Sequence, residues 1–207
     1  MSEEPILSNK SSLSAPTDLE TQVPEAEDPA WLQQIVEVQA EQMKGRQRRI
    51  SAKIQIPAAV EQVWTLLTDY EALPNFIPNL AKSKRLEHPE GGLRLEQVGT
   101  QRLLRLNFSA RVVLDMEEEF PAEIRFKMVE GDFKSFSGYW RLEPQLPVSS
   151  ETAESGQAKP ITNLLYNLEV CPKLAMPVKF IEHRICKDLR INLFAIRQQL
   201  VGVPAAG

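Results

Sequence analysis

The chain has 207 residues, of which 43% are apolar and 25% are charged, a composition typical of a globular domain with additional segments. Its longest apolar runs span only a few residues, far fewer than the ~18–20 that a membrane-spanning helix needs, and its two cysteines cannot form a disulfide framework. Residues 1–30 contain seven acidic residues against one lysine, whereas residues 45–207 contain 22 Lys and Arg against 19 Asp and Glu, a weak positive balance that disfavours nucleic acid as a partner.

The N-terminal segments lack the pattern of a folded domain. Residues 1–30 combine Ser, Pro, Glu and Thr without apolar periodicity, which predicts an acidic disordered tail. They also lack the basic and apolar regions of a secretory signal, so we expect a cytoplasmic location, with at most peripheral contact with a membrane. Residues 31–44 fit both a helix and a strand, and we interpret them as a short appendage.

The main domain, predicted over 45–202, begins with a strand and a helix. Apolar and polar residues alternate from Ile50 to Ile56, which predicts a half-buried strand that ends at Pro57. From Val60 the apolar spacing becomes helical, and we expect the helix to end before Thr68.

Prolines bound the next segment, and strands follow it. Pro74 and Pro78 limit any helix between them to one or two turns and enclose Phe76 and Ile77. Strands over 80–86 and 93–98 are predicted as the arms of a hairpin, because Gly91 and Gly92 between them favour a tight turn. Alternation predicts the strands over 104–116, 124–128, 136–142 and 164–170. The Pro- and Ser-rich segment 144–160 is expected to be a mobile loop. The result is six or seven antiparallel strands.

The C-terminal segment predicts a long helix. Apolar residues recur every three or four positions from Leu174 to Leu200, and residues 203–207 form a short tail. The element order indicates an α+β protein in which this helix lies on the sheet, because nothing else can cover its apolar stripe.

A curled sheet contacts such a helix only in part, so we expect an apolar gap between them as the candidate binding site. Alternation, helix position and the proline-bounded segment predict its lining. The predicted ligand-binding residues are Phe76, Ile77, Leu104, Phe108, Phe126, Trp140, Tyr166, Val178 and Phe180.

Two motifs resemble a known family. The segment from Ile54 to Leu80, with its Pro-led helix, Asp-Tyr turn and Phe-Ile-Pro, is similar to the opening of the START-like (SRPBCC) superfamily, in its polyketide cyclase/dehydrase and coenzyme Q-binding branch. Gly131-Asp132-Phe133-Lys134 followed by Gly138-Tyr139-Trp140 resembles the later glycine-aromatic stretch of that branch. The resemblance covers residues 45–202 and implies a helix-grip fold with a lipophilic cavity.

Catalytic and metal chemistry find little support in the sequence. His88 lies in a Gly-rich turn and is expected to be exposed. His183, Cys186 and Cys171 lack the tight Cys pair of a zinc site. No Gly-rich phosphate-binding motif connects a strand to a helix. We therefore predict no catalytic residue, no metal and no cofactor other than a bound lipid or prenyl quinone as ligand.

The resulting hypothesis is non-enzymatic binding, sequestration or delivery of a hydrophobic small molecule, a prenyl quinone or another lipid, with transient contact at a membrane surface. One alternative is an enzyme of the aromatase/cyclase type acting on a polyketide. The other is an assembly or chaperone factor that binds a protein partner.

Overall fold

An antiparallel sheet and a long C-terminal helix make up the protein in a computed structural model that describes residues 28–103, 106–145 and 160–202. The helices are α1 (Ala30–Ile35), α2 (Val60–Thr68) and α3 (Val178–Val201). The strands are β1 (Val36–Gln42), β2 (Arg48–Ile56), β3 (Leu80–Leu86), β4 (Leu93–Leu103), β5 (Leu106–Glu119), β6 (Glu123–Gly131), β7 (Ser135–Gln145) and β8 (Ile161–Cys171). Most of the predicted tail 1–30, most of the predicted loop 144–160 and the tail 203–207 lie outside the described residues. Of the described remainder, Ala30 begins α1, Oδ2 of Asp28 lies 3.1 Å from Nη1 of Arg190, and residues 144–145 are the end of β7.

The strands form one antiparallel sheet in the order β1-β2-β8-β7-β6-β5-β4-β3. Strand β8 pairs with both β2 and β7, so strands from near the two ends of the sequence are neighbours in the sheet. The α+β, helix-grip prediction is confirmed. The described part of the chain contains eight strands instead of the six or seven expected, and the additional strand is β1.

Strand β1 lies within residues 31–44, whose sequence pattern predicts only a short appendage. It pairs with β2 from Val36 to Gln42, and Val36 is fully buried. The preceding α1 packs on α3, with the rings of Trp31 and Phe194 5.0 Å apart and edge to face. β1 is therefore an edge strand of the sheet, and Leu32 of α1 and Val36 of β1 belong to the core.

The helix α2 and a 3₁₀ turn at Leu73–Asn75 lie between β2 and β3. The amide N–H of Ala59, the residue before α2, donates a hydrogen bond to Oε1 of Gln62 over 3.0 Å. A side chain of the first turn thus caps the start of the helix. One face of α2 is buried through Val63, Trp64 and Leu67. Pro74 stands inside the 3₁₀ turn, as its fixed φ permits.

The helix α3 starts later than its apolar pattern suggested. It begins at Val178, after Pro177, and Leu174 is 88% exposed in the preceding loop. Along its length α3 packs on β2 and β1, and Leu193 and Ile196 are fully buried. The largely buried guanidinium of Arg48 on β2 donates through Nε to Glu182 of α3 over 2.5 Å, which ties the first turns of the helix to the sheet.

Candidate functional site

A cavity of about 250 Å³ lies between α3 and the inner face of the sheet, on the side away from β1 and β2. The helix rests on β1 and β2, and the sheet curls away from it toward β4. The cavity is lined by Leu67, Tyr70, Leu73, Ile77, Asn79, Leu80, Gln97, Gly99, Ala110, Val112, Leu114, Met116, Ile124, Phe126, Phe133, Phe136, Trp140, Tyr166, Leu168, Ile185, Asp188, Leu189 and Asn192. Most of these side chains are apolar, so the space favours an apolar occupant.

Aromatic rings from β6, β7 and β8 form one wall of the cavity. The ring of Tyr166 lies 4.3 Å from that of Trp140 and stacks on that of Phe126 at 5.7 Å, with an angle of 18° between the planes. Phe136 continues the row, with its ring 5.6 Å from Phe126 and 5.5 Å from Phe133. Such contacting rings offer a rigid apolar surface to a ligand with a flat ring.

Gly138 permits this arrangement of rings. A Cβ at position 138 would lie 2.0 Å from the carbonyl oxygen of Asn167 on β8 and 2.7 Å from Cζ of Phe126. The Phe126 ring therefore lies directly over bare backbone of β7. Glycine is required here by the close approach of its neighbours.

Polar side chains from the turn before β3, from β4 and from α3 form the opposite end of the cavity. Asn79 donates through Nδ2 to Oδ1 of Asp188 over 3.1 Å, and Arg184 Nε lies 3.6 Å from the same oxygen. Gln97 donates through Nε2 to the hydroxyl of Ser83 over 3.1 Å. Oδ1 of Asn192 is buried and accepts no hydrogen bond from the described residues.

Two tyrosines in the lining are neutral phenols over a wide pH range. Burial raises the pKa of Tyr166 far above its ordinary value. Burial also raises the pKa of Tyr70, and the hydrogen bond that its hydroxyl donates to Oε1 of Glu118 over 2.6 Å raises it further. The guanidinium of Arg85 lies 5.6 Å from the centre of the Tyr70 ring. These contacts fix Tyr70 between α2 and the end of β5.

The predicted ligand-binding residues fall into three groups. Ile77, Phe126, Trp140 and Tyr166 line the cavity. Val178 and Phe180 are half-buried but do not line it, because the first turn of α3 lies beyond the cavity, whose helical side begins at Ile185. Phe76, which follows the 3₁₀ turn, is also half-buried and does not line it, although the next residue, Ile77, does. Leu104 and the side chain of Phe108 lie outside the described part of the structure. Whether the lining residues contact a ligand stays a prediction.

Several lining residues were not among the predicted ones. The helical side of the cavity is formed by four residues of α3: Ile185, Asp188, Leu189 and Asn192. Their spacing of three, one and three residues places them on one face of α3, within the predicted apolar stripe. The signal that could have found them is the presence of Asp188 and Asn192 at stripe positions that a closed core would fill with apolar residues.

The histidines and cysteines do not form a second reactive site. His88 was expected to be exposed, but its side chain is only 14% exposed, with Nε2 3.5 Å from Oδ2 of Asp115. The reason is that the β3–β4 turn folds toward β5, where Arg94 also binds Asp115. His183 is exposed, and burial raises the pKa of the Cys186 thiol. Among residues 28–103, 106–145 and 160–202, no cluster of three His, Cys, Asp or Glu side chains could hold a metal ion.

The family model described as "Polyketide cyclase / dehydrase and lipid transport" matches residues 56–194, from the end of β2 into α3. The chain belongs to this family. The match includes every described element that lines the cavity, and it confirms the resemblance to the START-like superfamily and to its polyketide cyclase/dehydrase branch. Coenzyme Q binding stays a prediction.

Known proteins resemble this chain in part of its sequence or in fold. The ribosome association toxin RatA of Escherichia coli (strain K12) is 26% identical over 96 residues, which make up 46% of this chain and only 58% of RatA. A fragment of the STAR-related lipid transfer protein of Xanthomonas axonopodis, residues 25–204, has a TM-score of 0.60 and 16% identity, over 85% of this chain and 97% of the fragment. The Zhui aromatase/cyclase of Streptomyces sp. R1128 has a TM-score of 0.54 and 17% identity, over 78% and 98%. At these identities the two structures show the shared fold alone.

Within the described residues, none of the helices is long and apolar enough to cross a membrane.

Proposed function

We propose that the protein binds a hydrophobic small molecule in the cavity under α3, and that it sequesters or delivers this ligand, a prenyl quinone or another lipid, without transforming it. The observation that supports this function best is the mainly apolar cavity with a wall of contacting aromatic rings. Delivery implies transient contact with the membrane surface from which such a ligand comes.

The size of the cavity limits what it can enclose. At about 250 Å³ it lies just below the ~300–1,000 Å³ that pockets for small molecules usually have. A single ring or a short part of a chain therefore fills it, and a long prenyl tail extends beyond it. Each buried methylene contributes about 0.8 kcal/mol, so apolar burial supplies most of the affinity.

The titratable groups in the lining support binding over catalysis. They are Tyr70 and Tyr166, whose pKa values are raised, and Asp188, whose carboxylate is held by Asn79. Neutral phenols and a carboxylate engaged by neighbours are weak candidates for a general base at neutral pH.

The direct test is to purify the full chain from its native source, extract it with organic solvent and identify the extracted compounds by mass spectrometry. A stoichiometric prenyl quinone or other lipid supports the proposal. An empty cavity together with a stoichiometric co-purifying protein would contradict it and favour an assembly or chaperone role.

A cavity-filling variant locates the ligand. Ala110 lines the cavity, and Ala110→Phe should reduce the extracted lipid at least tenfold because the new ring occupies the ligand's space. The matched control is Ser109→Phe, which places the same ring at the preceding, exposed position of β5 and should leave the lipid load unchanged. Thermal denaturation checks that both variants fold. Equal lipid loads in two folded variants would show that the ligand lies elsewhere.

An aromatase/cyclase activity is the second candidate, and the polar end of the cavity favours it. Asp188 and Asn192 lie where a poly-β-ketone chain could be oriented for ring closure, and the Zhui aromatase/cyclase has the same fold. Incubation of the protein with a linear poly-β-ketone thioester distinguishes the two functions. An aromatic product formed faster than in buffer would support the enzyme, and binding without product would support the carrier.

A further inference from the structure

The polar end of the cavity contains a buried oxygen without a hydrogen-bond partner in the described structure. This oxygen is Oδ1 of Asn192, a residue of α3 that lines the cavity. Buried polar atoms in proteins are nearly always paired, because an unpaired one loses its hydration without compensation. The missing partner is therefore expected from whatever fills the cavity.

Asn192 lies on the face of α3 that lines the cavity. Asp188 lies one turn earlier on the same face, and both residues alternate with the apolar side chains of Ile185 and Leu189. A leucine or isoleucine at either position would continue the apolar stripe. Two polar residues at such positions cost stability in a closed core, and departures of this kind are typical of binding sites.

The chemistry of this end favours a hydrogen-bond donor on the ligand. The Asp188 carboxylate is an acceptor, and Oδ1 of Asn192 is a second one. A ligand carbonyl in the same place would bring its lone pairs toward the carboxylate. A hydroxyl can donate to an acceptor and also accept from the amide of Asn192, so it satisfies the carboxamide in either orientation.

We propose, building on the proposed function, that the cavity selects an apolar ligand with a hydroxyl group, an alcohol or phenol, and that Asn192 binds this hydroxyl while the ligand's apolar part contacts the aromatic wall. For a prenyl quinone the preferred form is then the quinol. Asn192 is the specificity-determining residue of the site.

Small aromatic probes test this selectivity directly. Isothermal titration calorimetry with 1-naphthol, 1-methoxynaphthalene and naphthalene compares compounds that differ only in the polar group. The wild-type protein should bind 1-naphthol about tenfold more tightly than 1-methoxynaphthalene, the ratio expected for one hydrogen bond to a buried acceptor. In Asn192→Leu this preference should fall to about one, whereas naphthalene should bind at least as tightly as to the wild type.

Asn163 provides a matched control on β8. Its Oδ1 is also buried without a partner among the described residues, but Asn163 does not line the cavity. Asn163→Leu should keep the full preference for 1-naphthol. Thermal denaturation of the unliganded variants checks folding, and Asn192→Leu should melt at or above the wild-type temperature because it removes an unpaired polar group.

The outcomes separate this inference from the proposed function. If the wild type binds all three probes with equal affinity, or if Asn192→Leu keeps the preference for 1-naphthol, selection by Asn192 is refuted while the hydrophobic site stands. If none of the probes binds to the wild-type protein, the proposed function itself is contradicted.

Discussion

Gly138→Ala tests whether the aromatic wall depends on bare backbone in β7. The added Cβ would lie 2.0 Å from the carbonyl oxygen of Asn167, whereas ordinary contacts of a Cβ begin at 3.4 Å. Since that oxygen belongs to the backbone of β8, it cannot rotate away. Either β7 and β8 separate locally, or residue 138 shifts and displaces the ring of Phe126, whose Cζ would be 2.7 Å away.

The magnitude follows from the rigidity of the neighbours. Overpacking in a core usually costs about 1–3 kcal/mol, and a clash with a paired strand belongs at the upper end of that range. A loss of about 3 kcal/mol lowers the midpoint of urea denaturation by about 1.5 M if the m-value is about 2 kcal/mol/M. In a domain of this size it lowers Tm by roughly 6–12 °C.

Gly99→Ala provides the matched control in the same sheet. A Cβ at position 99 would lie 3.6 Å from the carbonyl oxygen of Asn79 and 3.9 Å from that of Ala110, which are ordinary contacts. We expect its free energy of unfolding to change by less than about 0.5 kcal/mol. Urea denaturation followed by far-UV circular dichroism compares both variants with the wild type. Midpoints that agree for Gly138→Ala and Gly99→Ala would refute the argument from close approach.

Three further predictions concern charged and reactive groups outside the aromatic wall. Hydrogen bonds from Lys82 and from Arg111 lower the pKa of Glu96 to about 2, so the stabilising contribution of Glu96 should be present above pH ~4.5 and lost as the pH falls toward 2. NMR titration and denaturation of Glu96→Gln should show this, and a Glu96 pKa near 4.5 would contradict the pairing. Glu182→Gln should lower the free energy of unfolding by about 1–3 kcal/mol because it leaves the buried guanidinium of Arg48 without a counter-charge, and the double variant Arg48→Met, Glu182→Leu should recover most of this loss in urea denaturation. A Glu182→Gln variant as stable as the wild type would show that the ion pair is dispensable. Burial raises the pKa of Cys186, so iodoacetamide should modify this thiol much more slowly in the native protein than in urea, and equal rates measured by mass spectrometry would show that it is accessible.

Local patterns were sufficient to predict most of the sheet. Strand β3 was predicted with the bounds that the structure has, because the two glycines of the following turn indicate a hairpin, and β3 indeed pairs with β4. The segment around Trp31 was ambiguous for a physical reason. It contains the short helix α1, which is followed at once by the strand β1. The apolar residues of this short segment therefore follow the helical spacing in its first part and the strand spacing in its second.

The aromatic part of the site could also be predicted from the sequence. Phe126, Trp140 and Tyr166 occupy inward positions of three strands, and the register places the last two directly opposite each other. The polar end of the cavity could not be predicted in this way. Asn79 and Asp188 are 109 residues apart in sequence, and only the packing of α3 near the start of β3 brings them together.

The helix explains why the predicted lining on α3 was displaced by about two turns. Apolar periodicity tells which side of a helix faces the sheet, but it does not tell where along the helix the sheet curls away. Val178 was expected at the cavity, and the structure places Ile185 and Leu189 there instead. What the sequence does contain is the interruption of the stripe by polar residues one turn apart. A core needs no polar side chain at those positions, so the interruption itself marks the part of the helix that faces a cavity.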